Sequence, residues 1–243
     1  SFCSSILGRK ILGMRRDAKY LIFDFDDTSK MVVHLRMTGN LLYMDGSSKI
    51  NIKLDENGLP RHTRVIFTLN DGSLLCFCDQ RKFGRLWLYS SDEDYKDCGI
   101  DRLGPEPLTA DFSKEYLCKR LAKTQRQIKT VLLDQSIVSG IGNIYSDEIL
   151  FEAGILPQTR ACDISKSRAL SLHDAINDVI SKGIKANQSS IEAYMLGARE
   201  QYSDLEKMKV YQKSGKKCKV CGTKIEKLTI GGRSSCFCPN CQR

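Results

Sequence analysis

Residues 218–241 read CKVCGTKIEKLTIGGRSSCFCPNC. Two CxxC pairs, Cys218/Cys221 and Cys238/Cys241, stand sixteen residues apart. Thiolates at that spacing suit one tetrahedral Zn²⁺, each pair turning the backbone so that both sulfurs face the ion. Gly222 follows the first pair, where a tight knuckle asks for a permissive backbone. All four positions are filled by protein, so the ion staples the fold and keeps no open position for chemistry. Between the pairs, Leu228–Ile230, Gly231–Ser235 and Cys236–Cys238 read as strand, glycine turn and strand. The predicted element is a zinc-stapled β-hairpin with Arg233 at or near its tip. A guanidinium there suits a phosphate or a base edge.

Charge extends that reading. Residues 201–243 carry ten Lys/Arg against three acids, so +7 of the net +9 lies in this stretch. A basic zinc module at the end of a chain most often serves a polyanion, nucleic acid first. With 243 residues, 41% of them hydrophobic, the chain can bury one large or two medium cores. No apolar run nears the roughly 18 residues of a membrane helix, and the opening SFCSSILGRK has no signal-peptide pattern. The seven cysteines outside the zinc set show no framework spacing, which fits a reducing, intracellular compartment.

Upstream, residues 5–90 read as short antiparallel strands: Ile6–Met14, Tyr20–Phe25, Met31–Arg36, Asn40–Met44, Arg64–Leu69, Ser73–Cys78 and Arg85–Tyr89. Turn signals such as Asp45-Gly46 and Asp71-Gly72 separate them, as in a sandwich or barrel. Gly46–Pro60 reads as a loose surface loop. Three stretches stand out: the basic RRDAKY (15–20), HLRMTG (34–39) with Met37 before a turn, and DQRKFGR (79–85). The last sets Phe83 among basic residues, a pattern suited to insertion into a base stack. The bland alternatives are a solvated strand edge, a core methionine and a loop anchor.

A proline-rich linker at 101–108 precedes a helical half. Helices are expected at Ser113–Lys123, Arg126–Asp134 and Ser165–Ala186, with Leu172, Ile176, Val179 and Ile180 on one stripe of the last. Between them, SGIGN (139–143) reads as a tight turn into a helix starting near Asn143, whose first amides suit an anion. Ser189–Tyr202 reads as a mobile loop.

These motifs occur in one order. RRDAKYLIF (15–23), HLRMTG (34–39), DQRKFG (79–84), LGPEPL (103–108), VSGIGNIYSDEILFEAGILP (138–157) and the finger with GGR resemble the bacterial formamidopyrimidine-DNA glycosylases of the Fpg/Nei family. The resemblance implies an α+β multi-domain fold. It comprises an antiparallel β-sandwich (1–100), a linker (101–108), a helix–two-turn–helix DNA-binding domain (109–200) and a C-terminal four-cysteine zinc-finger β-hairpin (201–243). It implies excision of 8-oxoguanine and formamidopyrimidines from double-stranded damaged DNA, then β,δ-elimination at the abasic site. One structural Zn²⁺, a monomer and a cytoplasmic, nucleoid-associated enzyme go with it. Residue by residue, Lys19 matches the lysine beside the lesion phosphate and Arg233 the finger arginine of δ-elimination. Asn143 matches the residue that grips the kinked backbone. Met37, Arg81 and Phe83 match the trio that fills the void of the extruded base. His62 matches a DNA-contacting histidine, and Lys123 lies beside another contact position.

The family pattern opens with a proline nucleophile and an adjacent glutamate, and SFCSS has no counterpart to either. The expectation is that residues 1–243 by themselves are a poor glycosylase. The alternatives are a damaged-DNA-binding protein without catalysis, or a Nei-type enzyme for oxidised pyrimidines.

Overall fold

The computed structural model describes residues 2–46, 53–90, 95–188 and 207–243. The described chain divides into two compact units, residues 2–101 and residues 102–188 with 207–243.

The first unit is a β-sandwich. One sheet has the order β1-β2-β3-β7 and comprises β1 (Ile11–Asp17), β2 (Tyr20–Phe25), β3 (Lys30–His34) and β7 (Arg85–Tyr89). The other has the order β4-β6-β5, from β4 (Gly39–Met44), β5 (Thr63–Thr68) and β6 (Leu74–Asp79). All pairings are antiparallel. Period-two patterning makes the core: Phe23, Phe25, Met31 and Val33 of one sheet pack with Phe77 of the other.

Two sequence expectations change here. The strand expected from Ile6 begins instead at Ile11, behind the helix α1 (Phe2–Ile6). Phe2 and Ile6, four apart on one helical face, join the sandwich core, and Gly8 at φ 74° ends the turn. Within Gly46–Pro60, residues 47–52 lie outside the described residues. Residues 53–60 are ordered by Asp55, whose carboxylate accepts the amides of Asn57 and Leu59, and by a bridge between Leu54 and Pro60.

The second unit joins helices to the finger. Its helices are α2 (Lys114–Ala122), α3 (Ile128–Leu132), α4 (Asn143–Glu152) and α5 (Lys166–Ala186). Ser113 and Ser165 cap α2 and α5 with their side-chain oxygens. Leu117 and Leu121 of α2 and Leu172 and Ile176 of α5 meet in one buried core. Helix α3 is shorter than the expected Arg126–Asp134, because Gln127 is extended and bridges to Arg160. The segment before α2 packs on this unit, with the Gly104 amide donating to the Gln135 carbonyl at 2.8 Å. Strands β8 (Glu226–Ile230) and β9 (Arg233–Phe237) form the hairpin. The expected mobile loop Ser189–Tyr202 lies outside the described residues.

Helix α4 carries the finger. Its buried Glu148 accepts the amides of Lys209, Val210 and Tyr211 at 2.7–2.9 Å. Gln242 accepts from the Cys238 amide and donates to the Ile155 carbonyl, both at 2.8 Å. Buried polar groups paired this fully fix a module at one angle.

Candidate nucleic-acid interface

In the sandwich, strand register gathers the motifs at one end. Gly39 of β4 and Thr63 of β5 lie opposite Asp79 and Cys78 of β6. The residues just outside, 37–38, 62 and 80–84, therefore share that end. In the other sheet Tyr20, His34 and Arg85 align, which brings the Ala18-Lys19 turn alongside the start of the 35–38 connection.

Asp79 organises the cluster. It is 1% exposed. Its carboxylate accepts the Thr38 hydroxyl, the Arg81 amide at 3.2 Å and the Gly84 amide at 2.7 Å. Burial works to raise its pKa; the Thr38 hydroxyl and the Gly84, Arg81 and Phe83 amides outweigh it and hold the carboxyl below its ordinary value. A Cβ on Gly84 would sit 2.5 Å from the Phe77 ring, and one on Gly39 would sit 2.2 Å from the Leu35 carbonyl oxygen. Both glycines are required by close approach.

On this base stand three side chains. Met37 is 69% exposed and Phe83 52% exposed. The Arg81 guanidinium lies between them, with Nη1 3.3 Å from Met37 Sδ and its carbon 5.2 Å from the Phe83 ring centre. Neither apolar residue is in the core. His62 is exposed at φ 65°, and its carbonyl accepts the Asp79 amide at 3.0 Å.

Lys19 is exposed on the β1–β2 turn. Beside it, His34 Nδ1 accepts the Arg36 amide at 3.0 Å. Burial, then the charges of Arg36 and Lys19, lower the His34 pKa to about 4. The ring is neutral at pH 7 with its proton on Nε2, a donor that the sequence reading quoted in a motif without giving it a role.

In the second unit, Asn143 begins α4. Its side-chain oxygen is buried and accepts no hydrogen bond. The preceding turn is held by Gln135, which takes the Gly140 amide and donates to the Ile141 carbonyl, both at 3.0 Å. Arg233 is exposed at the start of β9, after Gly231 and Gly232 at φ 54° and 74°, the backbone of a type I′ hairpin turn. A buried ion pair links the two. Lys129 of α3 donates to Asp147 of α4 and, at 3.3 Å, to the Asn143 carbonyl. Asp147 also accepts the Cys236 amide at 3.0 Å. Burial pushes the amine down and the carboxyl up, and each partner opposes the other's shift. Sequence reading missed this pair, since a Lys and an Asp on separate helices carry no spacing signal. Lys123 is exposed at the C-terminal cap of α2; no recorded bond joins it to Asn143 or Arg233.

The four finger cysteines bring their Sγ atoms within 4.8 Å of one another. Cys218 to Cys241 is 3.9 Å and Cys221 to Cys238 is 3.4 Å. A disulfide needs about 2.05 Å; a tetrahedron of Zn–S bonds of about 2.3 Å has edges of about 3.8 Å. The set fits one structural zinc ion.

Three family models match along the chain. The formamidopyrimidine-DNA glycosylase N-terminal domain covers residues 1–86, the formamidopyrimidine-DNA glycosylase H2TH domain 103–195, and the zinc finger found in FPG and IleRS 215–243. The chain belongs to the formamidopyrimidine-DNA glycosylase family. Similar members include the formamidopyrimidine-DNA glycosylase of Desulforamulus reducens, 42% identical over 245 aligned residues. That of Lactobacillus helveticus is 38% identical over 242. These alignments cover 99–100% of this chain and 84% of each relative. Among solved structures, Lactococcus lactis Fpg in complex with abasic-site DNA superposes with a TM-score of 0.83 at 34% identity, covering 99% of this chain and 84% of that one. The same enzyme with FAPY-dG DNA gives the same values.

Proposed function

We propose that the protein is a base-excision DNA glycosylase and abasic-site lyase acting on oxidised purines, 8-oxoguanine and formamidopyrimidines, in double-stranded DNA. The observation that carries this reading is the exposed Met37–Arg81–Phe83 cluster on its buried Asp79 base. Exposed apolar side chains bracketing one guanidinium, on a rigid mount, suit one task well. They fill the gap left by an extruded base and stack against its neighbours. Extrusion costs a few kcal/mol, which insertion offsets.

Phosphate contacts then hold the bent strand. Lys19, with His34 Nε2–H beside it, meets the phosphates at the lesion; Asn143 and the first turn of α4 take another, and Arg233 a third. His62 and Lys123 are assigned to flanking contacts. During strand scission the Lys19 amine moves a proton in β-elimination and Arg233 holds the departing phosphate in δ-elimination. No nucleophile for C1′ is assigned among these residues. Zinc, held by Cys218, Cys221, Cys238 and Cys241, fixes the hairpin that presents Arg233 and takes no part in the chemistry. We assign the finger and the helix–two-turn–helix segment to separate functional domains, working in a cytoplasmic, nucleoid-associated monomer. Among the described residues no helix is long and apolar enough to cross a membrane.

The test is base release and nicking on duplexes with a single 8-oxoguanine or a single thymine glycol. Release of 8-oxoguanine with scission supports the reading and overturns the expectation that residues 1–243 by themselves are a poor glycosylase. Preference for thymine glycol favours a Nei-type enzyme, and tight binding without release favours a damaged-DNA-binding protein.

A further inference from the structure

The turn that carries Lys19 sits at the end of a strand that, among the described residues, pairs on one side only, with β2. Edge-strand ends open readily, with no second neighbour to hold them. Here the turn is held by other means. Ala18 adopts φ 48°, a left-handed conformation that costs an L-residue and persists only where its surroundings enforce it. The Ala18 carbonyl accepts a hydrogen bond from Arg16 Nη1 at 2.9 Å. Next in sequence is Tyr20, which is buried. Its ring meets His34 edge-on, with centroids 4.6 Å apart and planes at 86°. Its hydroxyl donates to the Cys98 carbonyl at 2.7 Å, across 78 residues of sequence.

We propose that Tyr20 is a positioning residue for the Lys19 amine, pinning the turn and the neighbouring imidazole together. This rests on the reading above that Lys19 meets a DNA phosphate. The phenol ties the turn to the Cys98 segment, an anchor in addition to the β1–β2 ladder. A lysine amine ends a flexible four-carbon stem, so its reach is set by where its Cα stands. Small displacements of that base spoil a contact made at one phosphate. Removing the hydroxyl alone leaves the ring packing against His34 and unpins the turn.

The experiment is a double-mutant cycle on binding, by fluorescence anisotropy. The probe is a duplex with one tetrahydrofuran abasic-site analogue, compared with the same duplex undamaged, at several salt concentrations. Variants are Lys19→Met, Tyr20→Phe and the pair, each checked for an unchanged far-UV spectrum. Lys19→Met is expected to weaken abasic-duplex binding and to reduce the salt slope by about 0.9, the value of one phosphate contact. Tyr20→Phe is expected to weaken it about three- to tenfold, the scale of one lost hydrogen bond, and to have no further effect in the Lys19→Met background. Equal losses from Tyr20→Phe in both backgrounds, or no loss from it at all, overturn the positioning role while leaving Lys19 in place. Unchanged affinity and slope for Lys19→Met overturn the phosphate reading and this inference with it.

Discussion

Asp79 shows how one buried carboxylate sets a surface. Its bonds to Thr38, Arg81 and Gly84 are made best by the ionised form. Asp79→Asn should therefore cost about 1–3 kcal/mol at neutral pH by chemical denaturation. The folded pKa lies below the unfolded value of about 3.9. The contribution is thus full above about pH 4 and fades as the pH falls through the folded value. A difference between variant and parent that persists unchanged to about pH 2 would contradict this. His34 acts in an adjacent window. Its folded pKa of about 4 lies below the ordinary 6.5, so the unfolded chain binds the extra proton between those values. Stability should rise with pH across that window, and His34→Gln should flatten the rise. At the finger tip, Arg233→Ala should weaken abasic-duplex binding by about 1–3 kcal/mol, as expected of a lost charge-assisted contact. An unchanged Kd would remove Arg233 from the interface.

Among the elements, α4 matters most, since Asp147, Glu148 and Glu152 all reach the finger or the segment entering it. Lys129→Met leaves Asp147 buried without its cation, and about 3–5 kcal/mol of stability should be lost. Thermal or denaturant unfolding reads this directly, and a loss below about 1 kcal/mol would mean the pair is not buried as seen. Zinc extraction should abolish DNA binding while most helical signal remains, because the α2–α5 core does not include the finger. Unchanged affinity after verified zinc loss would refute the structural role. The elements were legible in sequence wherever a local rule governed them. CxxC spacing, a Gly-Gly turn, serine caps and period-two strands all lie within a few residues. The start of the chain was not legible: a strand was expected from Ile6, whereas residues 2–6 form a helix whose Phe2 and Ile6 pack on the sandwich. Long-range polar pairs were equally invisible, which is why Lys129–Asp147 and the Glu148 clamp emerged from structure alone. The trio's residues could be named in advance, but the buried Asp79 that mounts them could not.

For the whole molecule, a net +9 and exposed basic residues in each unit support the proposal that affinity for DNA comes largely from phosphate contacts. On the proposed function, specificity for damage follows from the cost of extruding a base, which is least where the base is already lost. The most direct measurement is the affinity for a tetrahydrofuran-containing duplex and for its undamaged counterpart across roughly 50–200 mM salt. Insertion of Met37, Arg81 and Phe83, as proposed, predicts a clear preference for the abasic duplex, and the proposed phosphate contacts of Lys19 and Arg233 predict a log–log salt slope of about −1.8 or steeper. Equal binding to both duplexes, with a flat salt dependence, would contradict the account.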